Sequence, residues 1–306
     1  MAVSRLAVLA LSGLLITQDA RAANIEWSRD FSRMFAEAAE RGRPVLIDFR
    51  GGSCGGRSAP GAMETRAGTG LAGGMSRPVQ QTDLNDCDLM QQEVWGAPRI
   101  AAAAERFLPV LVDGGDQTLN VKYQVVATPT TLIADPWGNE VLRVVGYLEP
   151  AKMERVLAAV PKDFTALAPF AKTLREDGTD PRALAGAAGF YEGQGLRQVG
   201  ERLYEKALSA PTMAADVAAR RQLTISRGLN LLMMNRDKEA ASVFEKEIGQ
   251  AAQGPGTDAL YLGLVNAHLQ GGRRKDAEKA VQALERAFPD SPYTARAKQN
   301  LAGVGK

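Results

Sequence analysis

The chain has 306 residues, of which 45% are apolar and 24% charged, and its formal net charge is +2. The length suits two domains, the composition is that of an ordinary globular protein, and the near-neutral charge gives no electrostatic reason for a nucleic-acid partner. One histidine and two cysteines exclude a multi-disulfide scaffold and a four-cysteine zinc site. They also argue against histidine-based metal or nucleophile chemistry, so no metal site is expected.

Residues 1–22 read as a secretory signal. Arg5 supplies the positive end, Leu6 to Ile16 the apolar core, and Ala20-Arg21-Ala22 the small-x-small cleavage site, with cleavage after Ala22. The apolar core is shorter than the ~20 residues of a membrane span; a retained anchor is the alternative. Export implies a periplasmic or otherwise secreted protein in an oxidising compartment. No later long apolar run predicts a membrane span.

Trp27, Phe31, Met34, Phe35, Ala38 and Ala39 recur at helical spacing and predict a helix over 27–41. Gly42 and Pro44 stop it. Val45 to Phe49 reads as a buried strand. From Gly51 to about Asp86 the sequence is glycine-rich with few large apolar residues, which predicts a loop. Asp86 is placed to cap a helix opening at Cys87. Pro98 breaks or restarts that helix, and Ile100 to Arg106 is a second helical stretch. Phe107 to Val112 is a strand, and Leu119 to Val125 a short helix or turn. Thr130 to Ala134 and Val141 to Val145 are strands joined at Pro136-Trp137-Gly138-Asn139. Pro150 to Val160 is a helix. This order describes a mixed α/β domain with a central sheet.

Beyond Pro161 strand signals stop, and the chain becomes helical and alanine-rich. A weak repeat aligns Gly200, Ala240 and Ala277 as small residues where paired helices approach closely. Such pairs stack on their neighbours to bury their apolar faces. Trp27, Trp95 and Trp137 read as core or turn residues and His268 as a surface or packing residue. Arg273-Arg274-Lys275-Asp276 reads as a solvated turn, and Arg57, Arg66 and Arg77 as part of an ordinary soluble loop.

Several motifs together resemble the thioredoxin superfamily, in particular secreted thioredoxin-like proteins and the C-terminal domain of thiol:disulfide interchange proteins. Arg43-Pro44-Val45-Leu46-Ile47-Asp48-Phe49 looks like the strand before the redox turn. Cys54 follows Asp48 by six residues, the offset of the family's attacking cysteine. Cys87-x-x-Met90-x-x-Glu93-Val94 is similar to the second cysteine and its helix. Val126-Ala127-Thr128-Pro129-Thr130 looks like the segment with the cis-proline, and Asp135-Pro136-Trp137-Gly138 and Val145-Gly146-Tyr147 also fit. Residues 180–290 resemble tetratricopeptide-type repeats.

The resemblance implies a thioredoxin-like domain over 23–160 and a helical-repeat domain over 161–306. Cys54 would attack, Cys87 resolve, Asp48 accept a proton, and Thr128 and Pro129 dock an extended substrate. A thiolate is the nucleophile of such exchange. Expected partners are protein thiol or disulfide substrates, a redox partner protein, and a protein ligand of the repeats; no cofactor is needed, since electrons would arrive from another dithiol protein.

The sequence departs from the family pattern at the motif itself. Arg57 stands where a second cysteine would follow Cys54, Leu84 where a first would precede Cys87, and Ser53 replaces the usual aromatic. The pattern is that of a motif interrupted by a glycine-rich insertion at about 55–85. Closing such a loop costs only as the logarithm of its length. A redox-active disulfide, a structural disulfide pinning the loop and two separate thiols all remain open. The function implied is thiol–disulfide exchange on exported proteins; the alternative is a redox-impaired scaffold whose repeats bind a partner.

Overall fold

The structure is a computed structural model that describes residues 24–51, 85–250 and 254–303. The expected signal segment, Cys54, the loop arginines and nearly all of the glycine-rich insertion lie outside the described residues.

Helix α1 (Phe31–Arg41) leads through Gly42, in the left-handed region at φ 64°, to strand β1 (Val45–Arg50). The chain reappears as α2 (Asp86–Leu89), which runs on as a π-helical segment (Met90–Trp95), then α3 (Pro98–Ala104) with proline in its first turn. Strand β2 (Leu108–Asp113), α4 (Gln117–Lys122), β3 (Thr130–Ala134), β4 (Glu140–Val145) and α5 (Pro150–Ala158) follow. Among the described residues the sheet order is β2-β1-β3-β4, with β1 parallel to β2 and antiparallel to β3.

The sheet is covered on both faces, which is why β1 reads as an almost continuous apolar run. Val45, Ile47 and Phe49 pack with Met34 and Ala38 of α1. Leu46 packs on the other side with Met90, Val94, Trp95, Met153 and Leu157. Strand alternation puts Asp48 on that second side. It is opposite Leu111 on β2 and Thr131 on β3.

The helix expected from residue 27 begins at Phe31 instead. Asp30 caps it, accepting from the Arg33 amide at 2.9 Å. Ser28 pairs with β2 instead, exchanging bonds with Pro109 and Leu111. Trp27, counted at helical spacing, therefore belongs to an extended lead-in, and its ring meets Trp95 edge-on at 5.3 Å.

The C-terminal part is helical: α6 (Ala168–Glu176), α7 (Pro181–Gly193), α8 (Arg197–Leu208), α9 (Val217–Met233), α10 (Asp237–Gln250), α11 (Thr257–Gln270), α12 (Arg274–Ala287) and α13 (Pro292–Gly303). The aligned small residues sit where helices touch. A Cβ on Gly200 would lie 3.0 Å from the Ala188 carbonyl oxygen on α7, and Ala240 and Ala277 are fully buried. In the run from Arg273 to Asp276, Arg274 and Lys275 are exposed as expected, but Arg273 is partly buried and bonds Asp237 at 2.7 Å and His268 Nδ1 at 3.2 Å. His268 is itself buried.

The two regions meet in one core. Phe164, Ala187, Tyr191, Leu196 and Val199 belong to the same apolar cluster as Leu46, Trp95 and Met153. Inside it the Tyr191 hydroxyl donates to Asp135 Oδ2 at 3.0 Å, at the turn between β3 and β4. Among the described residues no helix is long and apolar enough to cross a membrane.

Candidate functional site

Cys87 is buried near the start of α2 and is held in a disulfide; it is not a free thiol. The cap of its helix is Asn85, one residue before the expected Asp86. Asn85 Oδ1 accepts from the amides of Cys87 and Asp88, both at 3.0 Å. One oxygen thus serves two of the amides that a helix start leaves unpaired. Asn85→Ala is expected to cost about 1 kcal/mol, read as a lowered thermal midpoint. Asn85→Asp should retain most of the stability, and equal midpoints for alanine and wild type would refute the cap.

Asp48 is fully buried. Its Oδ2 accepts from Arg50 Nε, while its Oδ1 is buried without a hydrogen-bond partner. Trp95 and Thr131 face the same carboxylate and draw it downward, although Trp95 Nε1 and Thr131 Oγ1 make no hydrogen bond of ordinary geometry. Burial is the largest influence and raises the Asp48 carboxyl above its usual range, against the charge and hydrogen bond of Arg50.

The guanidinium of Arg50 also bonds Gln91 Oε1 through Nη1 and lies 5.4 Å over the Trp27 ring. Cys87, Gln91 and Trp95 follow one another at intervals of four and so share one stripe of their helix. Two members of that stripe, Gln91 and Trp95, meet the Asp48–Arg50 pair.

The Thr128–Pro129 peptide is cis. Pro129 accepts at its carbonyl from the Gly146 amide at 2.8 Å. Gly146 has φ 80°, and a Cβ there would lie 3.8 Å from Asp86 Oδ2. The proline segment and the start of the Cys87 helix therefore share one end of the sheet. Gly51 closes the same end. A Cβ on Gly114 would stand 2.5 Å from the Gly51 Cα, and one on Gly51 would stand 3.2 Å from Thr128 Oγ1. Thr128 is half-buried, Pro129 buried, and Val126 before them is 94% exposed.

Of the expected residues, Asp48, Cys87, Thr128 and Pro129 thus lie around one end of the sheet, and Cys54 lies outside the described residues. Sequence reasoning missed Arg50, Gln91 and Asn85. Arg50 was within reach of it, since residues two apart on a strand share a face. Trp27 and Trp95 read as core, and their contacts with Arg50 and Asp48 carry no local signature.

Comparisons with known proteins agree with the two-part architecture. Residues 79–161 match the thioredoxin-like domain family and residues 231–301 the tetratricopeptide repeat family. Cellulose synthase operon protein C of Xanthomonas axonopodis pv. citri (strain 306) is 37% identical over 98 residues, which is 32% of this chain and 6% of that protein. A solved structure titled DsbH Oxidoreductase aligns at 17% identity over 49% of this chain and 93% of that chain, with a TM-score of 0.33. That superposition is too loose to inform function.

Proposed function

We propose that this chain, a thioredoxin-like domain followed by tetratricopeptide repeats, is a thiol–disulfide oxidoreductase for exported proteins, with 23–160 as the redox domain and 161–306 as the partner-binding domain. The observation that carries the reading is a buried carboxylate with one unpartnered oxygen, Asp48 Oδ1. It faces the helix stripe that begins with a half-cystine, Cys87. A buried polar atom left unpaired is costly and rarely retained without use.

The proposed partner of Cys87 is Cys54. In the reduced protein the Cys54 thiolate attacks a substrate disulfide. A bond forms from Cys54 to one substrate sulfur, and the other substrate sulfur leaves as a thiolate. Cys87 then gives its proton to Asp48 Oδ1 and attacks Cys54, which releases the second substrate thiolate. The protein ends as the Cys54–Cys87 disulfide, the substrate gains two electrons, and a dithiol protein restores the starting state. Thr128 and Pro129 offer backbone to the substrate chain; proline contributes no N–H of its own.

Insulin reduction with a dithiol reductant tests this. Wild type should exceed the reductant's own rate. Cys54→Ser should fall to that background, and Cys87→Ser should accumulate a mixed disulfide visible on a non-reducing gel. Wild type at background defeats the proposal. It would favour the scaffold reading, for which the exposed Leu229 and Met233 of α9, at 46% and 62%, supply an apolar contact surface.

A further inference from the structure

Arg50 is the side chain that ties the buried acid to the cysteine helix. Its Nε donates to Asp48 Oδ2 and its Nη1 to Gln91 Oε1, and its third nitrogen, Nη2, is buried without a partner. The guanidinium thus lies in a partly dry site over the Trp27 ring, which itself meets Trp95 edge-on. Arginine is suited to this, being planar, permanently charged and able to bond two acceptors from one rigid fork. A wholly buried carboxylate without such a cation neutralises by taking a proton.

We propose that Arg50 is the positioning residue of the exchange site: it keeps the Asp48 carboxylate charged inside the fold and anchors the Cys87 helix beside it through Gln91. The catalytic consequence rests on the exchange reading above. The charge state of Asp48 does not.

The groups that face Asp48 come from each element packed on it. Arg50 stands on its own strand, Thr131 opposite on β3, Leu111 opposite on β2, and Trp95 on the π-helical segment. Among the described residues Arg50 is the charged one that acts on it. In the resolving step a charged Asp48 takes the Cys87 proton as the Cys87–Cys54 bond forms and the bond from Cys54 to the substrate breaks. A protonated Asp48 has nowhere to put that proton, so the mixed disulfide persists.

The test is a pH titration of the Asp48 side-chain carbon by ¹³C NMR in the full-length protein, assigned by its loss in Asp48→Asn. In wild type the carboxyl should be charged at pH 7; a wild-type Asp48 still protonated there overturns the proposal without any variant. In Arg50→Gln the midpoint should rise by about one pH unit or more, with Arg50→Lys between the two. Coincident midpoints in folded wild type and Arg50→Gln also overturn it. A merely structural arginine would lower the melting temperature and leave the midpoint in place. The acid limb of insulin reduction should move upward with the Asp48 midpoint. A wild type that catalyses no exchange defeats the functional reading alone, and the titration still decides the role of Arg50.

Discussion

Phe244→Ala is expected to cost the helical region about 3–5 kcal/mol, the range for removing a buried phenylalanine. The ring is fully buried on α10. It lies directly against the backbones of two other helices, since a Cβ on Gly228 of α9 would come within 2.1 Å of it and one on Gly263 of α11 within 2.5 Å. Helices this close cannot collapse further to refill the space, so the cavity persists. Chemical denaturation followed by circular dichroism measures the loss, and a cost under about 1 kcal/mol would mean that the site relaxes. The converse change, Gly228→Leu, should destabilise by overpacking, because the ring already fills the space the new side chain needs.

Asp135→Ala should be nearly as damaging, at about 3 kcal/mol or more, since it strands the buried Tyr191 hydroxyl and unties three turn donors at once. The carboxylate accepts from the amides of Trp137 and Asn139, both at 2.9 Å, from Asn139 Nδ2 at 2.8 Å and from the Tyr191 hydroxyl at 3.0 Å. Tyr191→Phe removes one of these and should cost about 2 kcal/mol. Burial raises Asp135 above the usual carboxylate range, and these hydrogen bonds pull it back. The Tyr191 hydroxyl is held well above its ordinary value, first by burial and then by Asp135, so it stays a donor at neutral pH. The sign of the linkage follows. A carboxyl raised in the folded state binds its proton more tightly there than in the unfolded chain. Its contribution favours folding at acid pH and is lost as pH climbs through the folded value. Thermal melts of Asp135→Asn and wild type across pH 4 to 7 check this: the difference between them should depend on pH, and a constant offset would show that Asp135 does not titrate there.

The sheet was legible because its signals are local. The buried run Val45 to Phe49, the turn at Pro136 to Asn139 and the break at Pro98 each rest on a few adjacent residues, and each element lies where expected. Misreadings came where one local signal competed with a distant one. Trp27 satisfied helical spacing, but Ser28 gains backbone bonds to β2 and Asp30 provides the cap. Asp86 and Asn85 are both capable caps, and it is the Asn85 oxygen that takes the Cys87 and Asp88 amides. Arg273 looked like surface charge because its partners, Asp237 and His268, come from two other helices. The candidate site divides the same way. Asp48, Cys87, Thr128 and Pro129 belong to recognisable motifs, whereas the link from Arg50 to Gln91 spans 41 positions and exists only once the helix lies over the strand.

The shared core bears on where this protein can be cut. An end at Val160, just past α5, would strip Phe164, Tyr191 and Val199 from the face that Trp95 and Met153 present. Stacked helical repeats need a terminal unit that covers the open face of the first pair. Here the sheet region supplies it: α7 rests on the sheet side through one apolar cluster and meets α8 and α9 through another. The stack is capped by a domain of a different architecture, and that domain in turn has its core closed by the first repeat. Neither fragment inherits a finished surface, so the smallest self-sufficient piece of the N-terminal region extends at least through α8.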